Sequence, residues 1–188
     1  MKCCSVVKGG LRVHLIPKIA HSQIARAIGE KQIGQRVDCN EPSDDFRMMV
    51  VRHPLDRIVS AYSFFCKERT NLPFNDGMRV LGYKRDMTFS DFLDHVLEHH
   101  EENVHTARQV LFKGNQEIDL LVPVEKLNDV WPDVAKRFNL SNLEEKHANR
   151  STHNHWEDYY SEVERDIAEL VFKEDLDLYN LAQERYNG

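Results

Sequence analysis

Residues 46–62 read Phe46-Arg-Met-Met-Val-Val-Arg-His-Pro-Leu-Asp-Arg-Ile-Val-Ser-Ala-Tyr62. The run from Phe46 to Val51 is short and apolar, as expected of a strand buried on both faces of a parallel sheet. Pro54 falls where the first turn of a helix tolerates it, because its missing N–H would have had no partner there. Behind it, Leu55, Ile58, Val59, Tyr62, Phe65 and Cys66 recur at spacings of three and four, one face of a helix. Arg57 and Ser60 are assigned to the polar side of that helix. The segment therefore predicts strand, short loop, helix, with Arg52 leaving the carboxyl end of the strand, where open α/β sheets place their ligands.

The same arrangement precedes it. Leu11 to Ile16 reads as a strand ending at Pro17, and Ile24, Ala25, Ala27 and Ile28 give the stripe of a following helix, closed by Gly29 or Gly34. Two such units predict an α/β fold with a parallel sheet flanked by helices. A third strand is expected from Ile118 to Val122. The C-terminal half reads as helix-rich: Thr88 with Asp91 opens one helix, Leu127 to Phe138 form another with Pro132 kept within its first turn, and Tyr160, Val163, Ile167, Leu170 and Val171 make a last core-facing stripe. Neither repeat nor linker divides residues 1–188, so a single domain is expected.

The chain has 188 residues, 41% hydrophobic and 30% charged, with a formal net charge of −6. This is enough apolar material for a packed core and excludes a disordered chain. The mild acidity argues against nucleic acid or an anionic membrane as partner, either of which needs a basic surface. No signal peptide or membrane-spanning run is evident. Cys3, Cys4, Cys39 and Cys66 read as free thiols, which places the protein in a reducing, cytoplasmic compartment.

Two stretches carry chemistry. In Pro17-Lys-Ile-Ala-His-Ser-Gln23, a strand ends and a helix begins, so unpaired amides and a partial positive charge suit a phosphate. Lys18 adds a mobile charge and Ser22 a hydroxyl. No glycine lies between Leu11 and Ile28, so there is no Walker A loop, which counts against kinases. In the second stretch the Arg52 guanidinium fork with the Ser60 hydroxyl suits a phosphate monoester. Among the ten histidines, His95 with His99 and His153 with His155 lack any metal-binding companion motif, so no metal is expected.

Together the two stretches resemble the signature of the sulfotransferases that use 3′-phosphoadenosine 5′-phosphosulfate (PAPS), closest to the carbohydrate sulfotransferase branch. Pro17-Lys18-Ile19-Ala20-His21-Ser22 is similar to the family's 5′-phosphosulfate loop, with Ala20 for the commoner glycine and His21 for a small hydroxyl residue. Arg52 to Tyr62 matches the family's Arg-x-Pro-x-x-Arg-x-x-Ser-Ala-Tyr block throughout. Thr88 to Phe92, His105 to Gln109, Val124 to Leu127, His147 to Ser151 and Asp175 to Tyr179 resemble further family segments in order.

The resemblance implies a P-loop-like fold and sulfuryl transfer from PAPS to a hydroxyl acceptor, a carbohydrate by family default. Lys18 would neutralise the leaving phosphate oxygen. Ala20, His21, Ser22 and Gln23 would line the 5′-phosphate. Arg52 and Ser60 would hold the 3′-phosphate, and Arg150 and Ser151 would cover the nucleotide. The general base stays open among His105, His21, Glu30, Asp38, Glu41, Asp44 and Asp45. A non-catalytic PAP- or PAPS-binding protein, and a small-molecule kinase, are the alternatives.

Overall fold

The computed structural model describes residues 5–29, 38–67, 82–144 and 154–187. Four strands form one sheet in the order β1 (Ser5–Lys8), β2 (Leu11–His14), β3 (Phe46–Val51) and β4 (Leu120–Pro123). β2, β3 and β4 are parallel, with Met48 opposite Val13 on one side and Leu120 on the other. β1 is an antiparallel strand that sequence reading did not anticipate. It reaches β2 through Gly9-Gly10, both at positive φ (59° and 82°), so that Lys8 lies opposite Leu11. A two-residue hairpin of this kind requires left-handed backbone at both central positions, where glycine carries no Cβ penalty.

α1 (His21–Ile28) follows β2 and closes at Gly29, whose φ of 89° gives the left-handed cap that glycine favours. α2 (Pro54–Tyr62) follows β3 with Pro54 in its first turn, and the chain continues as a π-helical turn over Ser63–Lys67. α3 (Phe89–His99) starts at Thr88, whose side chain accepts from the Asp91 amide. α4 (Leu127–Phe138) packs on the sheet. Its Pro132 falls in the second turn rather than the first, on the exposed side.

The last stripe divides differently from the expectation. α5 (Glu162–Val171) and α6 (Lys173–Asn187) are separate helices joined at Phe172, and Tyr160 precedes both. Val163, Ile167 and Leu170 are exposed, Leu170 to 75%, while Ala168 and Phe172 are buried in their place. Tyr160 and Val171 pack against the α2–α3 cluster as expected, whereas the middle of the stripe turns outward because the turn at Phe172 fixes which face meets α2 and α3.

One apolar cluster joins the strands to α1 and α4, centred on Val13, Met48, Val51, Val122 and Trp131. A second joins α2 to α3 through Leu55, Ile58, Val59, Phe92 and Val96. Met48 has no exposed surface, and trimming it to Ala would cost about 2–5 kcal/mol. All of α2 except Asp56 belongs to this interior: Arg57 and Ser60, expected on a polar side, are 1% and 3% exposed. Cys39 is disulfide-bonded, with its partner outside the described residues, whereas Cys66 is a buried free thiol. The expectation of four free thiols is therefore corrected at Cys39.

Candidate functional site

β2 and β3 are neighbours and parallel, so the segments leaving their carboxyl ends, Pro17–Ser22 and Arg52–Asp56, emerge on one edge of the sheet. They touch directly. Arg52 donates from Nη1 to the Lys18 carbonyl at 3.1 Å and from Nε to Asp56 Oδ2 at 2.7 Å. No bond from Arg52 Nη2 occurs among the described residues.

The loop between β2 and α1 is bent through two left-handed residues, Lys18 at φ 71° and Ala20 at φ 48°. Ala20 is the N-cap of α1, and its carbonyl accepts from the Gln23 and Ile24 amides. The His21 and Ser22 amides come before these first helical donors and are the ones a helix N-terminus leaves for an anion. Non-glycine residues at positive φ are held there at a cost, and such strain gathers at functional sites. His21 opens the helix with Nε2 3.3 Å from Ser22 Oγ. Burial, and then the nearby Lys18 charge, hold the His21 imidazole below its ordinary pKa, so it is neutral at pH 7. Gln23 points elsewhere, its Nε2 reaching the Glu144 carbonyl at 3.4 Å on the exposed side.

The far side of the site is built by α2. Asp56, Ser60 and Phe64 follow one another at a spacing of four and so form one ridge. Arg52 is bonded at the start of this ridge, and the Lys18 ammonium stands over the Phe64 ring at its end, 4.0 Å from the centroid. The π-helical turn presents two successive aromatic rings to one histidine: Phe64 is stacked on His105 at 5.7 Å, and Phe65 meets its edge at 5.2 Å. π-turns inside helices recur at functional sites. Lys18 and His105, far apart in the chain, thus share one aromatic platform.

Buried polar groups lock these pieces together. The Arg57 guanidinium donates to three carbonyls: Pro17 at 3.1 Å, Ala107 at 2.7 Å and Val104 at 3.1 Å. Burial lowers its pKa to about 10, against the favourable field of Asp175, so it stays charged at pH 7. Gln109 pairs with the Arg52 backbone through both ends of its carboxamide.

Over this framework, the sequence model of the sulfotransferase family matches residues 18–182. The chain belongs to the sulfotransferase family. No curated protein and no solved structure matches it.

Within this sulfotransferase-family site the expected residues separate into three groups. Lys18, Ala20, His21, Ser22, Arg52 and His105 come together around the β2 and β3 ends, with Ser60 on the intervening ridge. Arg150, Ser151 and Glu30 lie outside the described residues. Asp38, Glu41, Asp44 and Asp45 are placed at the opposite edge. Asp45 pairs with Arg12 at 3.4 Å, and the Asp38 and Glu41 carbonyls accept from the same guanidinium. Asp44 and Asp45 line a cavity of about 410 Å³ with Phe46, Arg47 and Asp119. The length of β3, roughly 20 Å at strand rise, separates them from Arg52, which removes these four as bases. Phe64 lies off the Leu55–Cys66 stripe and was missed because its partners Lys18 and His105 are more than 40 positions away in the chain. Among the described residues, no group of three or more His, Cys, Asp or Glu side chains could hold a metal ion, and no helix is long and apolar enough to cross a membrane.

Proposed function

We propose that the protein transfers the sulfuryl group of PAPS to a hydroxyl acceptor of the carbohydrate class, and that residues 1–188 act as one catalytic domain. The observation that carries this reading is the meeting of Arg52 with the Lys18 loop at the ends of neighbouring strands. A bisphosphate nucleotide needs two anchors on one sheet edge, and the ridge Asp56–Ser60–Phe64 connects the two candidates.

The residues fit such a nucleotide. The Arg52 guanidinium and the hydroxyl of Ser60 suit a 3′-phosphate, a planar fork beside a neutral donor. The Ser22 hydroxyl with the His21 and Ser22 amides at the start of α1 suits the 5′-phosphate. When bound, PAPS supplies the sulfuryl group and a phosphate leaving group. Lys18 neutralises the charge that grows on the leaving oxygen, a positioned cation of the kind that dominates group transfer between charged oxygens. His105 takes the acceptor proton at Nε2, since its Nδ1 is buried. His21, neutral beside Lys18, donates to phosphate oxygen without adding charge. Arg150 and Ser151, outside the described residues, are assigned to the nucleotide as well. We assign no role to a metal ion, and none to nucleic acid as partner. The Cys39 disulfide favours an oxidising compartment over the cytoplasm assumed from four free thiols.

The test is transfer of radiolabel from PAPS to a panel of glycans, glycolipids and phenols in the presence of EDTA, beside a thermal-shift series with PAP, ADP and ATP. Label transfer with preferential stabilisation by PAP is expected. Preferential stabilisation by ATP would return the kinase alternative, and tight PAP binding without transfer to any acceptor would return the non-catalytic one.

A further inference from the structure

Arg52 lies one residue beyond the end of β3. Its neighbour in β4 has run out, because Val51 is opposite Pro123, the last residue of that strand, and proline has no N–H to continue a ladder. The Arg52 amide and carbonyl are nevertheless both paired. Gln109 Nε2 donates to the Arg52 carbonyl at 2.8 Å, and Gln109 Oε1 accepts from the Arg52 amide at 3.0 Å. One carboxamide thereby does for Arg52 what an adjacent strand would have done.

Gln109 is itself fixed. It has no exposed surface, and its own amide donates to Asp175 Oδ2 at 2.7 Å, with the Val110 amide donating to Oδ1 at 2.9 Å. Asp175 is equally buried. A line of hydrogen bonds therefore runs from α6 through Asp175 and Gln109 to the backbone of Arg52.

We propose that Gln109 is the positioning residue that gives Arg52 its selectivity for the 3′-phosphate. This rests on the reading of Arg52 as the 3′-phosphate anchor. A guanidinium discriminates by geometry, and its fork matches a phosphate only when the Cα that carries it is held in place. Without the carboxamide, Arg52 keeps its charge but loses the backbone that aims it. Charge alone attracts any adenine nucleotide; the aimed fork distinguishes one with a 3′-phosphate.

The experiment is calorimetric titration of the full chain with PAP and with ADP, in the wild type, Gln109→Met and Gln109→Glu. Gln109→Met keeps the volume and removes both bonds. Its preference for PAP over ADP is expected to fall roughly tenfold, the worth of about one buried hydrogen-bond pair, while affinity for ADP changes less than about threefold, well under one such bond. Gln109→Glu can restore both bonds only when protonated. Its PAP preference, divided by that of the wild type at the same pH, is expected to rise as pH falls from 8.5 to 5.5. That pH dependence has no counterpart in a merely structural role, and it carries the test should thermal melts show Gln109→Met unfolded. A wild type that prefers PAP, with variants that keep the same ratio at every pH, overturns the inference alone. Equal loss of PAP and ADP also overturns it. A wild type with no preference for PAP overturns the reading of Arg52 beneath it.

Discussion

Lys18 holds its ammonium 4.0 Å from the centroid of the Phe64 ring. A cation over an aromatic face is attracted by the ring's negative quadrupole, so this contact both orients the lysine and shields one side of it from water. Lys18→Ala is expected to lower single-turnover PAP release about 10²–10³-fold while PAP affinity falls less than about tenfold, since the charge matters most as the leaving oxygen develops its own. Phe64→Leu should slow the same step about threefold to tenfold by loosening the ammonium. A Lys18 variant that lost affinity with an unchanged chemical step would make the lysine an anchor only.

Arg52→Ala should erase the preference for PAP over ADP, a change of roughly 10- to 100-fold for a charge-assisted contact. Its thermal midpoint is expected to stay near that of the wild type, because the guanidinium is partly exposed and bonded to one carboxylate and one carbonyl. Calorimetry showing an undiminished preference would assign the 3′-phosphate to some other residue.

Ala20→Gly is expected to stabilise the fold by about 0.5–1 kcal/mol, the relief of left-handed strain less the added freedom of the unfolded chain. Ala20 sits at φ 48° without a side-chain cap. Urea unfolding should show a higher midpoint at unchanged slope. A lower midpoint would mean that the Ala20 methyl contributes more in packing than its backbone costs.

His14 is 2% exposed, and burial lowers its pKa from 6.5 to about 4. The folded chain therefore refuses a proton that the unfolded chain accepts between those values. The stabilisation is complete above pH 6.5 and is lost as pH falls from 6.5 to 4, a change of roughly 3 kcal/mol. Burial lowers the pKa of His21 and of His53 as well, so both slope the same way. His14→Gln should flatten the dependence of urea stability on pH across that window. A slope as steep as that of the wild type would move the effect to the other two histidines.

Local signals were legible where the causes are local. The apolar run before Arg52 and the proline after it placed β3 and α2, and Gly29 ended α1, because these depend on a few successive residues. β1 was within reach, since Gly9-Gly10 between Val6-Val7 and Leu11 is a hairpin turn signal. Arg57 was not. A charged residue in a helix reads as solvated, and only partners 40 to 50 positions away turn it inward. Phe64 shared that difficulty: its role depends on a lysine and a histidine that the fold brings to it. Val163, Ile167 and Leu170 show the limit of periodicity, which finds a stripe but not the direction in which it points.

The Arg57 guanidinium has a consequence for how the molecule breathes. Pro17, Val104 and Ala107 all rest on one buried cation, and a cation so placed cannot be stranded halfway: releasing any one carbonyl leaves an N–H of a charged group dry. The loop from Pro17 to Ser22 and the turn bearing His105 should accordingly open as one cooperative unit, at a free energy close to that of whole-domain unfolding, with amides around both segments exchanging at matched rates. Thermal fluctuation cannot erode one half of the site and leave the other intact.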